Sequence, residues 1–137
     1  MASLQPSPGA IASASLTVQS SDLANAIYND PHDSFPAVFA TSRLVALMEV
    51  ASARILKPFL EPGQLSVGVS IEMSHTAATP PASVVEAEAT FVQKDGKIYV
   101  FEVIAKDKGG IIGKAVHKRA IVDVRRIEEG AQKRAAD

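Results

Sequence analysis

The sequence predicts an α+β domain in which one long apolar helix is wrapped by a five-stranded antiparallel sheet. Three observations carry this expectation. Residues 42–56 are apolar almost all round, with Glu49 the only acidic residue between Asp33 and Glu61. Beyond Pro62-Gly63 the apolar period changes from about 3.6 to about 2. The alternating segments are then punctuated by the turn signals Asp95-Gly96 and Lys108-Gly109-Gly110.

In chain order, residues 1–13 are rich in Pro, Ser and Ala and predict a flexible N-terminal segment. The alternation of residues 14–20 predicts a first strand. Residues 29–41 hold two prolines and two phenylalanines and predict an ordered loop leading into the helix. The helix is expected from Thr41 or Ser42 to Phe59, with Pro62-Gly63 as the stop. Leu65 to His75 reads as a strand. Val84 to Gln93 alternates cleanly, with Val85, Ala87, Ala89 and Phe91 on one face and Glu86, Glu88 and Thr90 on the other. Ile98 to Lys106 returns with Tyr99, Phe101, Val103 and Ala105 facing one way, and Ile111 to Val124 is a long last strand. The expected domain is 14–125, and the charged residues 126–137 predict a solvated tail.

One helix cannot cover both faces of five strands. The sheet must curl round the helix, which accounts for a helix apolar on most sides. This is the order of elements in a hotdog fold. The open edge and the uncovered sheet face predict a homodimer.

Composition narrows the function. The chain has 137 residues and 47% hydrophobic content, which fits one globular domain. A net charge of −1 with scattered Lys and Arg argues against nucleic acid as a partner. There is no cysteine, hence no thiol nucleophile or thiolate metal site. The N-terminus lacks a secretory pattern and no apolar run is long enough to span a bilayer, so the expected location is cytoplasmic, without a membrane partner. Gly63-Gln64-Leu65-Ser66-Val67-Gly68 has the wrong spacing for a nucleophile elbow, and Gly109-Gly110-Ile111-Ile112-Gly113 reads as a turn rather than a phosphate cradle. His32, His75 and His117 are widely spaced, give no metal signature and read as surface histidines. No metal and no cofactor is expected.

Glu49 draws attention because its neighbours at helical spacing are Val45, Ala46, Ser52 and Ala53. No cation on its own helix face can pair with it. A carboxylate buried without a partner costs several kcal/mol or takes up a proton, so a chain that retains one has a use for it. The alternative is a Glu that reaches solvent at the helix edge. His75 ends an alternating strand beside Thr76-Ala77-Ala78-Thr79-Pro80-Pro81, a position suited to exposing one ring nitrogen in a cleft, although a structural or surface histidine fits too. Thr41 stands where a helix N-cap is expected, and capping is its alternative role.

Phe35-Pro36-Ala37-Val38-Phe39-Ala40-Thr41, Leu47-Met48-Glu49, Leu60-Glu61-Pro62-Gly63, Ser66-Val67-Gly68, His75-Thr76-Ala77-Ala78-Thr79-Pro80-Pro81 and His117-Lys118-Arg119-Ala120-Ile121-Val122 together resemble the fluoroacetyl-CoA thioesterase family of hotdog proteins. The resemblance runs from about Asp30 to Val124. It implies an acyl-CoA or acyl-carrier substrate, with catalytic roles for Thr41, Glu49 and His75. It also implies substrate contacts from Gly68 and Arg119 and an aromatic cover over the acyl pocket from Phe35. Two positions depart from the pattern. His32 stands where the fluoroacetyl enzyme has a second lid phenylalanine, and Val50 where it has a tryptophan. These departures predict a different or broader acyl specificity. Thioester hydrolysis needs a nucleophile, proton transfer and oxyanion stabilisation, which these residue types supply. Glu49 could attack the carbonyl, or Glu49 or His75 could activate water. The rival functions are a non-catalytic acyl-CoA-binding hotdog protein and a hotdog enoyl hydratase or dehydratase, the latter suggested by Asn29-Asp30-Pro31-His32.

Overall fold

The computed structural model describes residues 4–28 and 30–136. Residues 1–3 of the N-terminal segment, Asn29 of the Asn29-Asp30-Pro31-His32 motif and Asp137 of the tail lie outside the described residues. The elements are β1 (Ile11–Thr17), α1 (Thr41–Leu56), β2 (Gln64–His75), β3 (Val84–Asp95), β4 (Ile98–Asp107), β5 (Gly110–Asp123) and α2 (Val124–Ala135). The strands form one antiparallel sheet in the order β1-β3-β4-β5-β2, so β1 and β2 are its edges.

The period-2 pattern decides which side chains meet the helix. Val85, Ala87, Ala89 and Phe91 of β3 and Tyr99, Phe101, Val103 and Ala105 of β4 are all buried, while Glu86, Glu88 and Glu102 face outward. Phe91 packs on Phe101 and Tyr99 with ring centroids 5.7 and 6.2 Å apart, closing one end of the core. Both glycine turns are present, and Gly96 and Gly110 adopt φ of 64° and 124°, values that suit residues without Cβ.

Helix α1 buries Leu44, Leu47, Met48, Ala51, Ser52, Ile55 and Leu56, one stripe at 3.6-residue spacing. It packs chiefly on β1 and β3 and only lightly on β2 and β5. The concave face of β2 and β5 is therefore less covered, and Val50 of α1 stays 43% exposed.

Four boundaries differ from the sequence expectation. The first strand begins at Ile11 and ends at Thr17 because its register follows β3, from Ile11 opposite Thr90 to Thr17 opposite Val84. Residues 18–20 leave the ladder for a short turn in which the Asp22 carboxylate accepts from Gln19 N at 2.9 Å. Part of the stretch expected to be flexible is tied down: Pro6 is buried, and Gly9 N donates to Phe91 O at 2.8 Å. The α-helix stops at Leu56, and Lys57–Phe59 continue as a 3₁₀ turn because Pro58 has no N–H to give. The charged tail is exposed but helical. Asp123 caps it by accepting from Arg126 N at 3.0 Å, and Arg125 pairs with Glu129 one turn on at 3.0 Å.

Candidate active site

The N-terminus of α1 is clamped to the loop after β2. Phe39 N donates to Thr79 O and Ala40 N to Asp22 O, both at 2.9 Å, and Phe39 and Ala40 are buried. Thr79 is fully buried, and its hydroxyl donates to Asp107 Oδ2 at 2.7 Å. The other oxygen of Asp107 accepts from Gly109 N at 2.8 Å, which ties this loop to the β4–β5 turn. The result sets Thr41 Oγ1 2.8 Å from His75 Nδ1. The helix N-cap is Ala40, with no side-chain cap bond, so Thr41 is the first helical residue and its hydroxyl serves His75 instead of the helix end. His75 Nε2 is buried and has no hydrogen-bond partner among the described residues.

A second cluster forms further along α1. The reading of Glu49 as a carboxylate buried without a partner is overturned in favour of the alternative, a Glu that reaches solvent at the helix edge, and Arg119 Nη1 donates to its Oε2 at 2.9 Å. The partner comes from β5, 70 positions away, and helical spacing could not reveal it. The Glu49 side chain is 41% exposed while that of Arg119 is 7% exposed. Glu49 thus reaches the open side of the fold with one oxygen held. Ser66 fixes the rest of the guanidinium, accepting from Nε through its hydroxyl at 2.9 Å and from Nη2 through its carbonyl at 3.0 Å.

Gly68 belongs to this cluster for a steric reason. A bulge between Gly68 and Ser70 shifts the β2 register against β5, so Gly68 pairs with Arg119 while Ile71 pairs with His117. One extra residue, Val69, is absorbed and left 53% exposed. A Cβ on Gly68 would lie 2.8 Å from Glu49 Oε2 and 3.4 Å from His117 Cε1, so the bare backbone makes room for the carboxylate.

His117 was expected on the surface and is 1% exposed. Its Nδ1 lies 2.8 Å from Ser70 O and its Nε2 3.0 Å from Arg119 Nη1. Burial pushes its pKa below the ordinary 6.5; the Ser70 carbonyl opposes this, Arg119 adds to it and Glu49 opposes it. Sequence reading missed His117, Ser66, Thr79 and Asp107. His117 alternates in phase with Arg119 and Ala115 on β5, which was the one signal that it points inward.

Phe35 is 50% exposed and packs against Tyr28, with centroids 5.9 Å apart. His32 is solvent-exposed and bonds to Asp30 Oδ1 through Nδ1 at 3.0 Å. This contact, with the His32 backbone N–H first, holds the Asp30 carboxyl below its usual range. Tyr28 is thus the ring beside Phe35. A concavity of about 590 Å³ lies over the outer face of the sheet, among Glu72, Glu88, Glu102, Ile104, Lys114 and Val116, and none of the candidate residues lines it. No group of three His, Asp or Glu side chains among the described residues is arranged to hold a metal.

The class is a hotdog fold of the thioesterase type. A thioesterase-superfamily protein from Thermus thermophilus superposes with a TM-score of 0.83 at 24% identity over 93% of this chain and 91% of its own, which speaks for the fold alone. The chain belongs to the fluoroacetyl-CoA-specific thioesterase family, FlK, whose family model matches residues 18–125. A fluoroacetyl-CoA thioesterase from Streptantibioticus cattleyicolor is 43% identical over 88 residues. That stretch is 64% of this chain and 63% of the relative, less than two thirds of its length. The crystal structure of a phenylalanine-to-alanine mutant of FlK superposes with a TM-score of 0.88 at 30% identity, covering 94% of this chain and 97% of that one.

Proposed function

We propose that this protein is an acyl-CoA thioesterase, hydrolysing a thioester to a free acid and CoA, with Glu49 as the reacting carboxylate. The observation that carries the reading is the Glu49 side chain, partly exposed on the open side of the fold with Oε2 fixed by Arg119. A carboxylate held at one oxygen presents the other to a carbonyl carbon or to a water. The Thr41–His75 pair supplies proton transfer. The uncapped first turn of α1 offers N–H groups to a developing oxyanion. Both the anhydride route and direct water attack use these same atoms.

The two clusters also bear on oligomeric state. Thr41 and Glu49 are eight residues apart on α1, and that separation amounts to about 12 Å of helix rise. His75 ends the edge strand β2, and Gly68 lies inside it, next to the bulge. A two-fold axis near Ile71, pairing β2 with β2 of a second copy, brings the Glu49 cluster of one chain beside the Thr41–His75 pair of the other. The exposed Leu65, Val69 and Val50, on and beside this edge, support such a homodimer. No helix among the described residues is long and apolar enough to cross a membrane; a cytoplasmic location completes the reading.

Specificity follows from the cover over the acyl group. His32 is turned to solvent and Phe35 leans on Tyr28, so the aromatic cover is open. A pocket discriminates fluoroacetyl from acetyl by fit alone to only about 1–3 kcal/mol. The test is free-thiol release from fluoroacetyl-, acetyl-, butyryl- and an aromatic acyl-CoA, reported as kcat/KM. A weak preference for fluoroacetyl over acetyl, with a larger group accepted at least as well, is expected. A preference beyond about 10⁴-fold overturns the specificity assignment. Binding without thiol release makes the protein an acyl-CoA binder, and loss of enoyl absorbance makes it a hydratase.

A further inference from the structure

We propose that His117 is a positioning residue for the reaction: as the neutral Nδ1–H tautomer, it accepts from Arg119 through Nε2 and so aims the guanidinium at Glu49. The tautomer follows from its partners. Ser70 O can only accept, so Nδ1 carries the proton and donates across 2.8 Å. Arg119 is always protonated and has no acceptor, so Nε2 is bare and receives Nη1–H across 3.0 Å. The two hydrogens of Nη1 are then divided between His117 Nε2 and Glu49 Oε2. Ser66 holds Nε and Nη2, which sets the position of the guanidinium but leaves Nη1 to its own two acceptors. The bulge in β2 bears on this arrangement as well, because it is Ser70, just past the shift, whose carbonyl fixes the imidazole. His117 faces two charged groups, Arg119 across its ring edge and Glu49 beyond it, and a second proton on the ring would set a cation against Nη1.

This assignment rests on the reading of Glu49 as the reacting carboxylate, and its test separates the two. Histidine ring ¹⁵N NMR of the wild type is expected to show a protonated Nδ1 and an unprotonated Nε2 at His117 at neutral pH. An Nε2–H tautomer or an imidazolium overturns the proposal. Resolved Nη–H signals of Arg119 are expected to persist in His117→Gln, whose amide oxygen can accept, and to be lost in His117→Leu; persistence in both overturns it. These arms hold whether or not the wild type turns over any acyl-CoA, so inactivity there counts against the functional reading alone. With an active wild type, folded His117→Leu is expected to lose kcat by about 10- to 100-fold, the scale of a misplaced reacting group, with KM within about threefold. His117→Gln should stay within about threefold of wild type, since it keeps the acceptor. In an Arg119→Ala background His117→Leu should cost nothing further, because the two residues act as one unit. Equal losses for Gln and Leu, or a full additional loss without Arg119, contradict the assignment.

Discussion

Gly68 shows most directly how one position can set where the Glu49 carboxylate lies. Any Cβ there meets Glu49 Oε2, the far end of a flexible side chain, and not backbone. Gly68→Ala is therefore expected to fold while displacing the carboxylate, lowering kcat for thiol release by about 10²-fold, the effect of an ångström-scale misplacement. Unchanged kcat with a folded variant would mean that the Glu49 position is not critical. The same residue illustrates what sequence can carry. Glu49 stood out in the sequence because it is an acid in an apolar helix, but its partner was invisible, because β-pairing and not helical spacing brings Arg119 to it. Thr41 was legible as a helix-start residue, whereas its choice of His75 over the helix end depends on the tertiary clamp at Phe39 and Ala40.

At the scale of elements, the strands that pack on the helix were legible because a buried face imposes period 2. The elements whose bounds the sequence misjudged carry a weaker constraint. β1 is an edge strand that turns only Ala12, Ala14 and Leu16 to the core and takes its register from β3, and α2 is held by a cap and one ion pair with no buried face. The loop after β2 owes its shape to Asp107, two strands away. Asp107→Ala leaves the buried Thr79 hydroxyl without its acceptor and is expected to cost about 1–3 kcal/mol in urea unfolding. It should also lower kcat by loosening Thr41 against His75; stability unchanged to within about 0.5 kcal/mol would contradict this role for the clamp. His117 on β5 adds a pH dependence. Its folded-state pKa lies below 6.5, so the fold favours the neutral ring. Stability is then fully present above 6.5 and is lost as pH falls from 6.5 through the lowered folded value, since the unfolded chain takes up the proton first. Urea midpoints of the wild type should decline over that window more steeply than those of His117→Gln; parallel curves would contradict a buried neutral His117.

For the whole molecule, the separation of the two clusters along α1 is the reason for proposing that a second copy completes the site. Variants that each lose one half separate a composite site from one confined to a single chain. Glu49→Gln and His75→Ala are both expected to be inactive alone. Mixed by unfolding and refolding together, they should regain about a quarter of wild-type activity, because half the dimers pair one intact Glu49 with one intact His75. No recovery would place both groups of one site in one chain. Light scattering at micromolar concentration should give twice the chain mass. The fold was legible in the period and the turns; the dimer remains an expectation, drawn from an edge strand, β2, that no other strand among the described residues pairs beyond.

Whether the Glu49 carboxylate performs the chemistry is decided by thiol release from the best acyl-CoA substrate with Glu49→Gln. The amide keeps the size of the side chain and can accept from Arg119, but it is a poor nucleophile and base. A folded variant is expected whose kcat falls by at least about 10²-fold, the scale of a lost catalytic carboxylate. A folded variant that hydrolyses the substrate within a few-fold of wild type would contradict it and leave Glu49 as a structural partner of Arg119.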